Sequence, residues 1–426
     1  MVTTKTTIAM NQLQHPQNQS AVLYASIDRT TVLVDIPASI AASCPLRLLS
    51  VEPLDAPHVL PEPKDPTVVF NQELLDTHNR LRDSVATALE KIRKDYGESN
   101  WCLERQIDAN HANAPLSPFI TRVFKSNLSL LQPPSGDPLE LTELGPDTVF
   151  DITDIYQSVV RNSSPDFHRM VISVSANGTG TFIIPPRSSF LLAPVQTSIR
   201  IFTTYAASIG LFNFVLLDPP WPNRSAERCK AAYDTLPNVK DLLLLPIESA
   251  LRDDGLVGVW VTNKPKWKQF VIQRLFPKWG VDFAGEWIWL KVTKSGEPIF
   301  DLESVMRKPY EILLFGRKPM RKDNVDHKWR RGNGGERLPS TNIEAQFGEG
   351  TGSSPGRLAV HAMPMKVIVA VPDLHSRKPC IQGKFLFQNS GACRFIYIGL
   401  PLNRPDKAVY AFGIYSLRNF WQTPGR

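Results

Sequence analysis

The chain has 426 residues, 42% of them hydrophobic, with a formal net charge of +7 and a pI near 9.1. That length holds at least one large core and suits two or three domains. No apolar run is long enough to span a membrane, the first twenty residues lack the apolar stretch of a secretory leader, and the scattered cysteines and histidines have no zinc-site spacing. A membrane protein, a secreted protein and a metal enzyme are therefore set aside, and the basic balance suits a polyanionic partner without demanding one.

Residues 1–20 are polar and read as disordered. Short β-like runs such as Thr31–Ile36 follow, and Gln72–Tyr96 reads as a helix, with Leu74, Leu75, Leu81, Val85, Leu89 and Ile92 at roughly helical spacing. Pro115–Asp147 is proline-rich and reads as irregular. Residues 21–165 are thus expected to form a helical and irregular N-terminal module, and residues 166–426 a second domain. That domain opens with MVISVSANGTGTFIIPP, two strands joined at Asn177–Gly178. Strands are then expected at Phe212–Leu217, Leu256–Thr262, Phe283–Val292, Glu311–Phe315, Val367–Val371 and Arg394–Leu400. Helices are expected at Val239–Ala250 and Trp267–Phe276. The alternation predicts an α/β sheet with helices on both faces. Residues 318–357 are glycine-rich and basic and read as a flexible insertion able to touch phosphates.

One stretch carries chemistry. In LLDPPWPNRS an apolar strand ends on Asp218, and Pro219 and Pro220 hold the chain extended before Trp221. Ligands of open α/β sheets bind beyond the carboxyl ends of strands. A carboxylate with proline carbonyls beside it is a cluster of acceptors, and a tryptophan supplies a flat wall. That set suits the amino edge of a planar base. The lone pair of an exocyclic amine is delocalised into the ring, so hydrogen bonds from its N–H groups to Asp218 and the Pro219 carbonyl favour the pyramidal nitrogen that attacks a methyl group. The carboxylate also stabilises the positive charge that develops. This chemistry asks for no metal, and it requires the base to leave its stack.

Asp218–Trp221, together with SSFLL, VGVWVTNK, GEWIWLKVTKSGEPIFDLES, RKPYEILLFGR and VIVAVPDLHSRKP, resembles the DPPW-type adenine N6-methyltransferases, the messenger-RNA adenosine methyltransferase family, and within it the methyltransferase-like protein four branch. The resemblance covers roughly residues 165–380. It implies a Rossmann-like fold with permuted motif order, S-adenosylmethionine as methyl donor and an adenine N6 as acceptor. The branch implies RNA, specifically small nuclear RNA and an adenosine already carrying a 2′-O-methyl group, with DNA adenine as the alternative, and it implies a nuclear protein. Asp218, Pro219, Pro220 and Trp221 match the catalytic motif. Asn223, Arg224 and Ser225 match the substrate loop that follows. Asn263, Trp289, Lys291 and Glu311 are expected on the substrate side, with Trp287, Lys308, Pro309 and Tyr310 in the same matching stretches. Val195, Asp218 and Lys378 are expected to hold the cofactor.

The chain departs from the pattern twice. Ala193-Pro194-Val195 stands where relatives carry an acid, which leaves backbone contacts near Val195. Residues 380–426 diverge, with Arg418 and Asn419 a remnant of the ribose-binding stretch and the following Gly-Asn-Glu missing. A catalytically impaired nucleic-acid-binding homologue is therefore the other expectation. Oligomeric state is not legible in the sequence.

Overall fold

In the computed structural model, residues 20–41, 52–59, 72–98, 100–105, 141–173, 179–193, 195–222, 236, 238–304, 307–320, 365–370, 393–399 and 410–417 are described. Among them the strands are β1 (Val22–Ala25), β2 (Thr31–Val34), β3 (Leu141–Glu143), β4 (Asp147–Asp151), β5 (Val159–Asn162), β6 (His168–Ser173), β7 (Thr179–Ile184), β8 (Ser188–Ala193), β9 (Phe212–Asp218), β10 (Leu251–Val261), β11 (Asp282–Lys291), β12 (Tyr310–Arg317), β13 (Lys366–Ala370), β14 (Cys393–Gly399) and β15 (Tyr410–Leu417). The turn expected at Asn177–Gly178 lies outside the described residues, but the strands that flank it, β6 and β7, do pair antiparallel.

Twelve strands form one sheet in the order β1-β2-β13-β11-β12-β10-β9-β14-β15-β8-β5-β3, and β4, β6 and β7 form a second, smaller sheet. At the centre, β9 lies parallel to both β10 and β14, and β12 runs antiparallel between β10 and β11. The directions put the carboxyl ends of β2, β8, β9, β10, β11, β13 and β14 on one edge of the sheet. This is a Rossmann-like α/β arrangement with antiparallel strands inserted. Parallel neighbours need a crossover, which for β9 and β10 runs through a 3-10 turn at Val239–Leu244 and a short helix at Ile247–Ala250, where a single helix was expected.

Val215, Leu216 and Leu217 of β9 are all fully buried, so this strand is covered on both faces. Each such side chain contributes about 1.5–3 kcal/mol of burial. Gly258 lies opposite Leu216 across the β9–β10 pair. A Cβ there would sit 3.0 Å from the Leu216 side chain, so any larger residue presses that side chain to shift.

Residues 21–165, expected as a module of their own, contribute to the same sheet. β2 pairs parallel with β13, and β3 and β5 extend the opposite end. The helix Gln72–Tyr96 has the predicted bounds. Its Leu81, Val85, Ala88, Leu89 and Ile92 form one buried stripe in the same core as Val215, Ile288, Leu290 and Ile312 of the sheet. Asp35, just past β2, is buried and binds Arg105 at 2.6 Å while accepting from the backbone of Ala38 and Leu103. A further helix, Val195–Ile209, packs Phe202, Tyr205 and Ala206 into that core.

Side chains alternate along each central strand. Val215 and Leu217, Val259 and Val261, Ile288 and Leu290, and Ile312 and Leu314 belong to the core shared with Gln72–Tyr96. Leu216, Trp260, Trp289, Leu313 and Phe315 form a separate cluster on the opposite face.

Candidate active site

β9 carries its alternation to its last residue. Leu216 belongs to the second face, so Asp218, two positions on, stands on that face at the carboxyl edge, partly exposed to solvent. The chain then turns sharply. Trp221 donates its backbone N–H to the Pro219 carbonyl at 2.9 Å, and Leu236 donates to the Pro220 carbonyl at 2.8 Å. The proline carbonyls, expected to be free acceptors, each hold one internal hydrogen bond, and each keeps a second lone pair.

The turn carries Trp221 to the first face. Its ring is buried, with 4% exposure, where the sequence suggested a wall open to a ligand. A buried indole needs a partner for its N–H, and Trp221 donates Nε1–H to the Trp260 carbonyl at 2.8 Å. The ring stacks on Trp267 at 5.1 Å with 29° between planes and meets the edge of Phe270 at 6.5 Å. Trp267 and Phe270 belong to the helix Pro265–Phe270, which continues through a π turn at Val271–Leu275 to Phe276–Lys278. Pro277 has no N–H to give the preceding turn, and the widened winding before it accommodates that.

Three more predicted residues share the face of Asp218. Trp289 lies opposite Glu311 across β11 and β12, buried and edge-on to Trp260 at 6.4 Å. Lys291, two residues on, pairs with Glu311 at 2.8 Å, and both side chains stay about one-fifth exposed (18% and 22%). Asp218, Trp260, Glu311, Trp289 and Lys291 thus form a row across four neighbouring strands at one edge. Pro219 and Pro220 are buried beside it.

Asn263 follows β10 at the same edge. Its Nδ2 donates to the Tyr310 carbonyl at 3.1 Å, which aims the amide, and its buried Oδ1 has no hydrogen-bond partner. Tyr310 points to the first face, where its hydroxyl shares a 3.2 Å hydrogen bond with Nδ1 of buried His78 from the helix Gln72–Tyr96. Burial pushes the Tyr310 hydroxyl up to about 12, so it stays protonated. The Lys308 ammonium is buried without a hydrogen-bond partner, and desolvation lowers it to about 8. Burial, then the charges of Lys308 and Arg82, hold His78 below its ordinary value, so its ring is neutral near pH 7.

Val195 opens the helix Val195–Ile209 directly beyond β8, at the same edge as Asp218. Asn223, Arg224, Ser225, Lys378, Arg418 and Asn419 lie outside the described residues. The divergent segment nevertheless supplies β14, whose Gly399 pairs with Asp218, and β15. The sequence assigns no site role to Trp260, Trp267 or His78, although VGVWVTNK and KPKWKQF carry the two tryptophans.

The MT-A70 family pattern matches residues 212–346. The chain is similar to the N6-methyladenosine RNA methyltransferase MTA1 of Pyricularia oryzae, 29% identical over 398 residues, which are 85% of each chain. The protein of the same name from Cryphonectria parasitica is 37% identical over 206 residues, 47% of this chain and 50% of that one. The human N(6)-adenine-specific methyltransferase METTL4 is 28% identical over 324 residues, 73% of this chain and 60% of the human protein. The chain therefore spans most of the first relative and about half to three-fifths of the other two. The family implies S-adenosylmethionine use in general terms. The chain carries an MT-A70 domain over residues 212–346 and is a methyltransferase.

Proposed function

We propose that this protein transfers a methyl group from S-adenosylmethionine to the exocyclic N6 of adenine in nucleic acid, with RNA preferred. The observation that carries the reading is the row on one face of the carboxyl edge, with Asp218 held at the end of the doubly buried β9 and Trp289, Lys291 and Glu311 beside it. Bound S-adenosylmethionine supplies an electrophilic methyl group. Asp218 accepts one N–H of the target amine and the second lone pair of the Pro219 carbonyl accepts the other, which frees the nitrogen lone pair. The carboxylate then stabilises the cationic nitrogen and is the nearest acceptor for the proton it sheds. The Lys291–Glu311 pair orients groups on the substrate side, and the loop 223–225 is assigned to the target strand. The base reaches this edge flipped or single-stranded.

The donor set fits the cofactor. Asn263 Oδ1 lacks a donor and Lys308 Nζ lacks an acceptor at the same edge, so the edge is left to satisfy a ligand with polar groups of both kinds. The first-turn amides beyond Val195 add further donors. Val195, Asp218 and Lys378 are the residues assigned to the cofactor, with Arg418 and Asn419 assigned to its ribose.

Two of the relatives above are named for RNA methylation, which supports RNA over DNA as acceptor. Small nuclear RNA as the target and the nucleus as the location rest on the branch resemblance. The impaired-homologue reading rests on the divergent C-terminal segment. Seating β14 against β9 supports an intact edge instead. Calorimetry of S-adenosylmethionine binding decides between them: the active reading expects saturable binding, and none by well-folded protein overturns it. Asp218→Ala is then expected to abolish transfer while cofactor affinity stays within about tenfold. Transfer at the wild-type rate in that variant contradicts the role given to the carboxylate. RNA and DNA oligonucleotides assayed side by side with labelled methyl donor identify the acceptor.

A further inference from the structure

Asp218 ends β9 opposite Gly399, and the turn that follows it, closed by the Trp221 amide on the Pro219 carbonyl, leads directly into Trp221. Trp221 is held on one side by the Trp260 carbonyl and on the other by the ring of Trp267. Trp260 is fixed within β10. Trp267 sits in the first part of a continuous helical segment, Pro265–Phe270, which has no fully buried residue and no side-chain cap, whereas the continuation is anchored by buried Val271, Leu275 and Phe276.

Two side chains moor it. Lys268 Nζ binds Glu286 Oε2 at 2.5 Å, and Gln269 Nε2 donates to Glu73 Oε1 at 2.6 Å. The other oxygen of Glu286 binds Arg80 Nη1 at 2.9 Å. Glu73 and Arg80 both belong to the helix Gln72–Tyr96, which is itself anchored by its buried stripe. The Glu286 side chain is only 10% exposed. Burial alone would raise its carboxyl, but the Lys268 ammonium and the Arg80 guanidinium outweigh this and hold it below the usual carboxylate range. It is ionised at neutral pH, and both cations oppose its desolvation.

We infer that the helix Gln72–Tyr96 sets the position of the catalytic turn through Arg80, Glu286, Lys268 and Trp267, which stacks on Trp221. These four are positioning residues for methyl transfer. The inference rests on the reading of Asp218 as the catalytic carboxylate. It gives the N-terminal part of the chain a task in the reaction that its sequence did not disclose. Trp267 supplies the surface on which Trp221 rests, and the ion triad supplies the place of Trp267. Loosening either lets the Pro219 carbonyl and the carboxylate beside it drift from the target amine.

The test uses the full chain and four forms, wild type, Trp267→Ala, Trp267→Phe and Glu286→Gln, each with steady-state kinetics and amide hydrogen exchange. In Trp267→Ala, kcat is expected to fall about tenfold to a hundredfold, since a displacement near 1 Å suffices for that. KM for RNA is expected to stay unchanged and Kd for the cofactor to stay within about threefold, less than the fall in kcat. Exchange at the Trp221 amide is expected to quicken, while β6 and β7 keep wild-type exchange. Trp267→Phe restores most of kcat because it restores the stacked ring, and Glu286→Gln moves kcat and exchange in the same direction as Trp267→Ala. Wild-type kcat and wild-type exchange at Trp221 in Trp267→Ala overturn the inference. So does an equal quickening in β6 and β7, which marks general loosening. A wild-type protein that transfers no methyl group defeats the methyltransferase reading separately, and the exchange data still decide whether the triad holds the turn.

Discussion

On one face of the central strands, Leu217, Val259, Ile288, Leu290 and Tyr310 lie in the core shared with the helix Gln72–Tyr96. On the other face, one residue along each strand, stand Asp218, Trp260, Trp289, Lys291 and Glu311. The first face is mainly apolar, and most of its polar groups are tied to neighbouring elements, as in His78 with Tyr310 and Glu286 with Arg80 and Lys268. The second keeps an acid and an ion pair partly in contact with solvent at the edge. Because strand side chains alternate, the same four strands build an apolar support and a polar row without sharing a side chain. Trp221 crosses between them: it follows the strand that ends on Asp218 and packs into the support.

The sharpest way to separate the faces is Asp218→Asn, which keeps shape and removes charge. We expect kcat to fall about 10²–10³-fold with an unchanged thermal midpoint. A loss of fold instead would mean that the second face is structural too. Ile288→Ala is the opposite case. Its side chain is fully buried, so equilibrium urea unfolding should show a loss of about 2–5 kcal/mol, with the remaining folded protein turning over near the wild-type rate. Lys291→Met should leave stability within about 1 kcal/mol, as expected of a partly exposed ion pair. It should raise KM for RNA, and an unchanged KM would remove Lys291 from the substrate side.

The smallest effect concerns pH. Burial, with the charges of Lys308 and Arg82, lowers the His78 value from 6.5. The unfolded chain therefore takes up a proton on this ring at higher pH than the folded one. The stability linked to His78 is present above 6.5 and is lost as pH falls through the lowered folded value. Urea midpoints compared at about pH 7.5 and about pH 5 should show this loss, and His78→Gln should reduce it. An identical pH dependence in that variant would place the acid sensitivity elsewhere.

Much of this arrangement was legible in the chain. Leucines at helical spacing predict Gln72–Tyr96 with the observed bounds, and apolar runs place β9 to β13 within a few residues. The helix Val195–Ile209 escaped notice because Val195, Thr197, Ile199, Ile201, Thr203 and Thr204 favour strands. Burial of Phe202 and Tyr205 overrides that preference. The union of β2 with β13 was hidden for a different reason. Pairing between segments more than 300 residues apart leaves no local pattern, so the N-terminal strands read as a separate module. At the site, Asp218 was readable because a strand pattern stops on it. The destination of Trp221 was not. A tryptophan after two prolines can face a ligand or a core, and only the Trp260 carbonyl and the Trp267 ring decide between them.

The central claim is that Asp218 directs methyl transfer to the amino nitrogen of adenine. The most direct test incubates the full chain with an adenosine-containing RNA and labelled S-adenosylmethionine, then identifies the modified nucleoside by mass spectrometry. The account predicts label on N6 of adenosine with wild-type protein and label at a rate about 10²–10³-fold lower with Asp218→Asn. Label at a ring nitrogen, or equal labelling by the two proteins, would contradict it.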